Sequence, residues 1–196
     1  MFDVRFHGRG GQGVVTAAEM LSVAAFDSGL HAQAIPTFGS ERTGAPVTSF
    51  CRISQTPIRF HEPVDHPDAI VVQDPTLLHV VPVLDGARPT TYVLINSSRA
   101  VDDLHLSPVA DGAASGRVVT FAGGDLARAV LGRPLPNTAL LGALCALTCV
   151  VSLEALTEAI RQRFASTIAE DNIEVAARAH AAMTTQLGYR EMSGRA

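Results

Sequence analysis

The apolar positions of this chain form short runs in its first two thirds. Ala69–Val72 and Tyr92–Ile95 are nearly continuous apolar runs, which are typical of strands that a parallel sheet buries on both faces. Residues 48–54 alternate between polar and apolar instead, which predicts a strand with one face toward solvent or a partner. With weaker signals elsewhere, the pattern predicts strands at about 3–7, 31–35, 47–54, 69–73, 90–96 and 117–121.

Longer segments with helical periodicity or continuous apolar character predict helices. They lie at about 14–28, 75–84, 124–131, 138–150, 153–164 and 171–187. Strands and helices alternate as far as about residue 131, and only helices follow. This order predicts an α/β fold with a mostly parallel sheet flanked by helices and a helical C-terminal part. We expect one domain over residues 1–190 and a short tail over 191–196.

A glycine-rich loop separates the first predicted strand from the first predicted helix. It comprises Gly8, Arg9, Gly10, Gly11, Gln12 and Gly13. Strand, glycine loop and helix in this order present backbone N–H groups and a helix N-terminus, which often bind phosphate. Glycine lets a phosphate approach the backbone and adopts the positive φ angles of such turns. A phosphorylated ligand is therefore expected near residue 10.

The identity of that ligand is open at this point. The loop also fits the G-x-G-x-x-G pattern of dinucleotide-binding domains, which need an acidic residue at the end of the second strand. Residues 36–39 follow that strand here and include no acid, which weakens the dinucleotide interpretation. No Lys-Ser/Thr pair follows Gly13, so the loop is not a nucleoside-triphosphate P-loop. A glycine turn that binds nothing is the structural alternative.

Two further segments carry polar candidates for the same site. Ser40, Glu41 and Arg42 lie in a loop after the second strand, which reaches the same sheet edge as the glycine loop if the strands are parallel. An arginine there offers charge-assisted hydrogen bonds to a phosphate or a carboxylate, and a solvated turn is the alternative. Asn137 precedes the most apolar helix, where we expect it to be the N-cap, with ligand contact as the alternative.

Composition and charge narrow the classes of function. Charged residues make up 17 % of the chain and hydrophobic residues 47 %, which favours a subunit of a larger assembly. The net charge of −4 argues against non-specific binding of nucleic acid, which needs a basic surface. No apolar run is long enough to span a bilayer, and no signal peptide opens the chain. We therefore expect a cytoplasmic protein without a membrane partner.

The cysteines and histidines form no recognisable catalytic or metal motif. Three cysteines without a C-x-x-C pair exclude a self-contained iron–sulfur or zinc site. Cys145 and Cys149 share one face of a predicted helix, where two buried small residues are favoured over a metal pair. His7 ends the first strand, where packing is favoured over contact with a ligand. We expect no catalytic residue and no metal ligand in this chain.

Three segments together resemble the gamma subunit of 2-oxoacid:acceptor oxidoreductases, of which pyruvate:ferredoxin oxidoreductase is the best-known member. Residues 4–18 (VRFHGRGGQGVVTAA) look like the opening of that subunit, and residues 38–47 (FGSERTGAPV) are similar to its second signature. Pro136-Asn137-Thr138 with Leu141-Gly142-Ala143 resembles the third. The resemblance spans about residues 2–188, and three segments in the family's order are far more specific than one.

The resemblance implies a division of labour among subunits. In the family, alpha and beta subunits bind thiamine diphosphate with Mg and decarboxylate the 2-oxoacid. 4Fe-4S clusters in the beta and delta parts carry electrons to ferredoxin or to an NAD-linked flavin subunit. The gamma part covers the active site and helps bind coenzyme A, which leaves as acyl-coenzyme A. A stand-alone NAD- or FAD-binding oxidoreductase and a purely structural subunit are the alternatives.

The resemblance also implies roles for particular residues. Residues 8–13 are expected to cradle phosphates of coenzyme A, and Thr16 to support the start of the helix. Ser40, Glu41 and Arg42 are expected to shape the second wall of that site.

Overall fold

A six-stranded sheet forms the centre of the computed structural model, which describes residues 1–36, 44–59, 62–104, 106 and 117–193. The strands lie in the order β2-β3-β1-β4-β5-β6. Their bounds are β1 Phe2–Arg9, β2 His31–Pro36, β3 Pro46–Ser54, β4 Ala69–Val72, β5 Tyr92–Asn96 and β6 Val118–Phe121. All six strands predicted from the apolar pattern are present, with small shifts at their ends.

Three of the five strand pairings are parallel, which confirms the mostly parallel sheet. β1 pairs in parallel with β4, and β4, β5 and β6 continue in the same direction. β3 is antiparallel to both β1 and β2, so β1 and β2 run the same way. The carboxyl ends of five strands and the start of β3 therefore share one edge of the sheet, which we call the C-terminal edge.

Five α-helices accompany the sheet in the described ranges. They are α1 Val14–Asp27, α2 Gly123–Leu131, α3 Asn137–Thr148, α4 Leu153–Arg163 and α5 Ser166–Ser193. Two short 3₁₀ helices cover Pro75–His79 and Val101–Leu104. Since α3, α4 and α5 follow one another, the helical C-terminal part is confirmed.

Two predicted helices have different bounds in the structure. The helix expected over 75–84 is a 3₁₀ turn that ends at His79, ahead of Pro82, which has no N–H to donate. The last helix begins at Ser166, so Asp171 and Asn172 do not start it. Asn172 is buried inside the helix, where its Nδ2 donates to the Ile168 carbonyl at 2.8 Å. A residue type favoured at helix starts is tolerated here because its side chain also accepts from Thr138 Oγ1 at 2.9 Å, so both ends of the amide are bonded.

The helices cover one face of the sheet, and 3₁₀ turns and loops cover the other. Val4, Phe6, Val71 and Leu94 belong to the same buried cluster as residues of α1, α3, α4 and α5. The alternate strand residues pack with the 3₁₀ helices in a second cluster, which includes Ile70, Val72, Val93, Ile95, Leu77 and Leu104. We call these the helix face and the loop face.

The loop face of β3 is buried at Phe50, Arg52 and Ser54, so the prediction that one side of this strand meets solvent or a partner is wrong for this part of the strand. On the same face, Thr48 is half-buried and Pro46 is exposed. Phe50 on that face is 6 % exposed. Arg5, opposite Phe50 in β1, donates to the Val83 carbonyl at 3.1 Å and to the carbonyl of Asp85. Its guanidinium thus fastens a loop over these strands. An alternating sequence cannot reveal such a cover, because the cover comes from a distant segment.

The apolar helix α3 is buried along almost its whole length, as predicted. Ten of its twelve residues are buried. Cys145 lies among them, whereas Cys149 is exposed and follows the helix with a positive φ of 54°. The prediction that both cysteines are buried is therefore wrong for Cys149. None of the helices in the described ranges has the length and apolarity needed to cross a membrane.

Candidate functional site

Three helices begin side by side at the C-terminal edge. A Cβ added to Gly13, at the start of α1, would stand 2.6 Å from the Asn137 Nδ2 at the start of α3. A Cβ added to Gly123, the first residue of α2, would stand 3.2 Å from the Ala139 Cβ in α3. The N-terminal ends of α1, α2 and α3 therefore meet where the parallel strands end. This is the position at which open α/β sheets bind their ligands.

The start of α1 offers a set of free backbone donors. Gly13 is the N-cap residue, with φ 73°, and no side chain caps the helix. Within the described part of the chain, no hydrogen bond engages five N–H groups there, those of Gly11, Gly13, Val14, Val15 and Thr16. The first turn of α1 contains no acidic residue. Free N–H groups and the positive end of a helix dipole together favour an anion.

Glycine is required at two points of the loop for different reasons. A Cβ on Gly8 would stand 2.6 Å from Val14 Cγ2, so a side chain there would push α1 away from the sheet. Gly11 has a φ of 93°, and a Cβ on it would meet no atom within 4 Å. Gly8 therefore serves close packing, whereas Gly11 faces open space and leaves the backbone accessible to a ligand.

The glycine loop is joined to the end of the segment that precedes β3. The Gly10 N–H donates to the Ala45 carbonyl at 2.9 Å, and the Gly44 N–H donates to the Gly10 carbonyl at 3.2 Å. Ser40, Glu41 and Arg42 lie outside the described residues. Their segment begins after Pro36, at the end of β2, and returns at Gly44. Both of its ends lie at the C-terminal edge, as the sequence predicts.

Arg9 forms an ion pair with Asp74. Its Nε donates to Asp74 Oδ2 at 3.0 Å, and its Nη2 donates to Thr76 Oγ1 at 2.7 Å. Its Nη1 donates to the Gly44 carbonyl at 3.0 Å. This cation therefore joins the loop after β1 to the loop after β4. Because Asp74 offsets its charge, Arg9 attracts an anion less strongly than an unpaired arginine would.

Asp74 is the hub of this network. Besides Arg9, it accepts from Gln12 Nε2 at 3.1 Å, from the Thr76 N–H at 3.0 Å and from Thr76 Oγ1 at 2.6 Å. Burial alone raises the pKa of Asp74, but the hydrogen bonds from Thr76 and Gln12 and the charge of Arg9 lower it overall. Asp74 is therefore ionised at neutral pH and holds the glycine loop in place. It also caps the 3₁₀ helix, as predicted from Asp74-Pro75.

Gln12 is hydrogen-bonded within the glycine loop, whereas Thr16 belongs to the first turn of α1. The Gln12 Oε1 accepts from the Arg9 N–H at 2.8 Å, so its carboxamide folds back over the loop. Thr16 lies half-buried in the first turn of α1. Its side chain makes no hydrogen bond with the described residues. Whether it supports the helix start through a ligand stays a prediction.

Asn137 is not the N-cap of α3, and that prediction is wrong. It is the first helical residue, and Pro136 occupies the cap position with helical angles and no side-chain cap. Because Pro136 already has the φ angle of a helix, the helix begins at Asn137, one residue earlier than predicted. The Asn137 side chain lies against Gly13 instead and is 8 % exposed as a residue. It makes no hydrogen bond with the described residues.

Two amide residues at this edge were not identified from the sequence. Asn96, at the end of β5, donates from Nδ2 to the Gln73 carbonyl at 2.9 Å and accepts from the Gly124 N–H at 2.9 Å. Gln73 follows β4 directly and is 1 % exposed. The available signal was a polar residue at the end of each buried apolar run. Within the described ranges, no group of three metal-binding side chains comes together.

The comparisons with known proteins place this arrangement in a family. The family model "Pyruvate ferredoxin/flavodoxin oxidoreductase" matches residues 3–182. The chain is 42 % identical over 180 residues to the pyruvate/ketoisovalerate oxidoreductases common subunit gamma of Thermococcus kodakarensis, covering 90 % of this chain and 94 % of that protein.

Two further relatives have a similar extent. The chain is 45 % identical over 161 residues to the pyruvate synthase subunit PorC of Methanosarcina barkeri, covering 82 % of this chain and 85 % of the relative. The crystal structure of pyruvate oxidoreductase subunit PORC from Thermotoga maritima superposes with a TM-score of 0.77 at 33 % identity. That match covers 92 % of this chain and 95 % of that one.

Proposed function

This chain belongs to the pyruvate ferredoxin/flavodoxin oxidoreductase family, as the gamma subunit of a 2-oxoacid oxidoreductase complex, and we propose that it binds coenzyme A for that complex. The observation that carries the proposal is the uncapped start of α1 at the C-terminal edge, where five N–H groups make no hydrogen bond with the described residues. Coenzyme A carries a diphosphate and a 3′-phosphate, which are the anions that such a helix start attracts.

The proposed site has three parts. The N–H groups of Gly11, Gly13 and the first turn of α1, which includes Thr16, bind phosphate oxygens. Arg9, Gln12 and Gly10 shape the loop through their contacts with Asp74 and Ala45. Ser40, Glu41 and Arg42 form the second wall, and Asn137 lies beside Gly13 at the start of α3.

The chemistry is assigned to other subunits in this proposal. Alpha and beta subunits would hold thiamine diphosphate with Mg, which stabilises the carbanion left by decarboxylation. Beta and delta subunits would hold 4Fe-4S clusters and pass electrons to ferredoxin or to an NAD-linked flavin subunit. This chain supplies no catalytic group and no metal ligand. Its part is to hold coenzyme A over the active centre, so that the acyl group passes to the thiol. We place the complex in the cytoplasm.

Gly11→Val tests this proposal. The substitution places a branched side chain in the open space above the loop and strains its positive φ. We expect the dissociation constant of the purified complex for coenzyme A to rise more than tenfold, because phosphate oxygens lose access to the N–H groups. Isothermal titration calorimetry measures this constant directly.

Gly29→Val is the matched control. Gly29 has a φ of 81° and equally open surroundings, but it follows the far end of α1. Both substitutions carry a similar backbone strain, so any loss caused only by instability affects both variants. Unchanged affinity in the Gly11 variant, or an equal loss in both, would contradict the proposed function.

A further inference from the structure

Gln73 directly follows β4 and lies at the C-terminal edge of the sheet. Its N–H donates to the His7 carbonyl at 2.7 Å, which extends the pairing of β1 and β4 by one residue. Because side chains alternate along a strand and Val71 belongs to the helix-face cluster, the Gln73 side chain leaves the sheet on the helix face. Its Cβ lies 3.2 Å from the point that a Cβ on Gly8 would take. The side chain therefore starts directly beneath the glycine loop.

The Gln73 carboxamide is buried, and the described residues offer it no hydrogen-bond partner. Neither Nε2 nor Oε1 is bonded to any of them, and the residue is 1 % exposed. Such an amide destabilises a folded chain, because it has lost its bonds to water and gained none. Buried polar groups are otherwise almost always satisfied. Gln73 thus carries unused hydrogen-bonding capacity at the point where α1 and α3 begin.

The Gln12 side chain reaches the same place from the glycine loop. The Gln12 Oε1 is 3.1 Å from the same point above Gly8, and it accepts from the Arg9 N–H. An incoming anionic oxygen is a stronger acceptor for that N–H than a neutral amide oxygen. An anion that replaces the Gln12 oxygen at the Arg9 N–H would therefore stand beside Gly8, where the Gln73 side chain begins.

We propose that Gln73 is a ligand-contacting residue of this site, with its Nε2 donating to a phosphate oxygen and its Oε1 accepting from an adjacent hydroxyl. The inference rests on the proposed function and adds a specificity element to it. The N–H groups of α1 attract any anion of suitable size. A carboxamide with one donor and one acceptor selects a phosphate ester with a hydroxyl beside it. Both proposed contacts are hydrogen bonds, and Gln73 forms or breaks no covalent bond.

The test is Gln73→Met, which keeps the length of the side chain and removes both polar atoms. We expect the dissociation constant of the complex for coenzyme A to rise about tenfold, the effect of losing one hydrogen bond to a charged group. We also expect the full chain to resist urea at least as well as the wild type, since an unpartnered amide is lost. Inorganic diphosphate, which has no alcohol hydroxyl, should lose less affinity than coenzyme A.

Gln55→Met is the control, because Gln55 is exposed and follows β3 at the opposite edge of the sheet. It should change neither quantity. If the wild type binds coenzyme A and Gly11→Val weakens that binding more than tenfold, the proposed function stands. Unchanged affinity in the Gln73 variant then overturns this inference alone. A Gln73 variant that is less stable than the wild type also overturns it, since the carboxamide would then have a partner in solution.

Discussion

Gly142→Ala should destabilise the chain by about 3 kcal/mol, although it adds one methyl group. Gly142 lies in the middle of α3, where this helix crosses α5. A Cβ at this position would stand 2.1 Å from the Ala176 carbonyl oxygen and 2.9 Å from its Cα. Both atoms belong to the backbone of α5, so no side-chain rotation relieves the overlap. The two helices must move apart.

The cost comes from the contacts that this separation breaks. Ala139 in α3 packs with Val175 and Ala179 of α5 in a buried cluster, and small residues allow that close approach. Because folded domains are stable by only about 5–15 kcal/mol, a loss of this size is a large fraction of the total. Urea unfolding of the full chain, followed by circular dichroism, measures the change.

Gly188→Ala is the opposite case in α5. Gly188 is exposed, and a Cβ there would meet no atom within 4 Å. Alanine is a better helix former than glycine by about 1 kcal/mol, so this variant should be more stable than the wild type. Equal effects of the two substitutions would contradict the close packing of α3 against α5.

His7 should make the stability of the chain depend on pH between about 7 and 4. It is 7 % exposed on the loop face of β1, and its Nδ1 lies 3.4 Å from the Thr48 Oγ1. Its Nε2 has no partner among the described residues. Burial, and then the charge of Arg5 on the same face, lowers the pKa of His7 to about 4. The folded chain therefore keeps this imidazole neutral.

The direction of this pH dependence follows from the lowered pKa of His7. The unfolded chain takes up a proton at its ordinary pKa of about 6.5, whereas the folded chain does so only near pH 4. The unfolded state therefore binds more protons in this window, and stability is lost as the pH falls. The free energy of unfolding should decrease by about 3 kcal/mol, which is this pKa difference converted at 1.36 kcal/mol per unit.

His7→Phe should remove most of that decrease, because phenylalanine fills a similar volume and does not titrate. Urea unfolding at several pH values between 7.5 and 4 gives the free energy of unfolding against pH for the wild type and for the variant. The difference between the two curves is the contribution of His7, because both proteins have the same carboxylates. His79→Phe replaces an exposed histidine and is the control for the change of side chain itself. Parallel curves for the wild type and the His7 variant would contradict a neutral buried imidazole.

The sequence was sufficient for all six strands, for most of the helices and for the position of the glycine loop in the fold. Continuous apolar runs identified β4 and β5, and the order of elements identified the parallel part of the sheet. The glycine loop between β1 and α1 was also predicted, because strand, loop and helix have a local signature. The cap at Asp74-Pro75 was also predictable, since its partners lie two residues away.

The contacts between distant segments were not predictable in the same way. Asn137 was expected to cap its own helix, but Pro136 takes that position and Asn137 meets Gly13 in α1. The ion pair between Arg9 and Asp74 joins residues 65 positions apart. Gln73 looked like the last residue of a strand, and only the packing of α1 over the sheet reveals its buried carboxamide. Pairings of this kind depend on the tertiary fold and leave no local pattern.

The central claim is that the glycine loop of this subunit binds phosphates of coenzyme A. A crystal structure of the whole complex with coenzyme A bound tests it most directly. We expect phosphate oxygens within about 3.1 Å of the N–H groups of Gly11, Gly13 and Val14, with the Gln12 carboxamide displaced from the Arg9 N–H. Coenzyme A bound with all of its phosphates away from the start of α1 would contradict the claim.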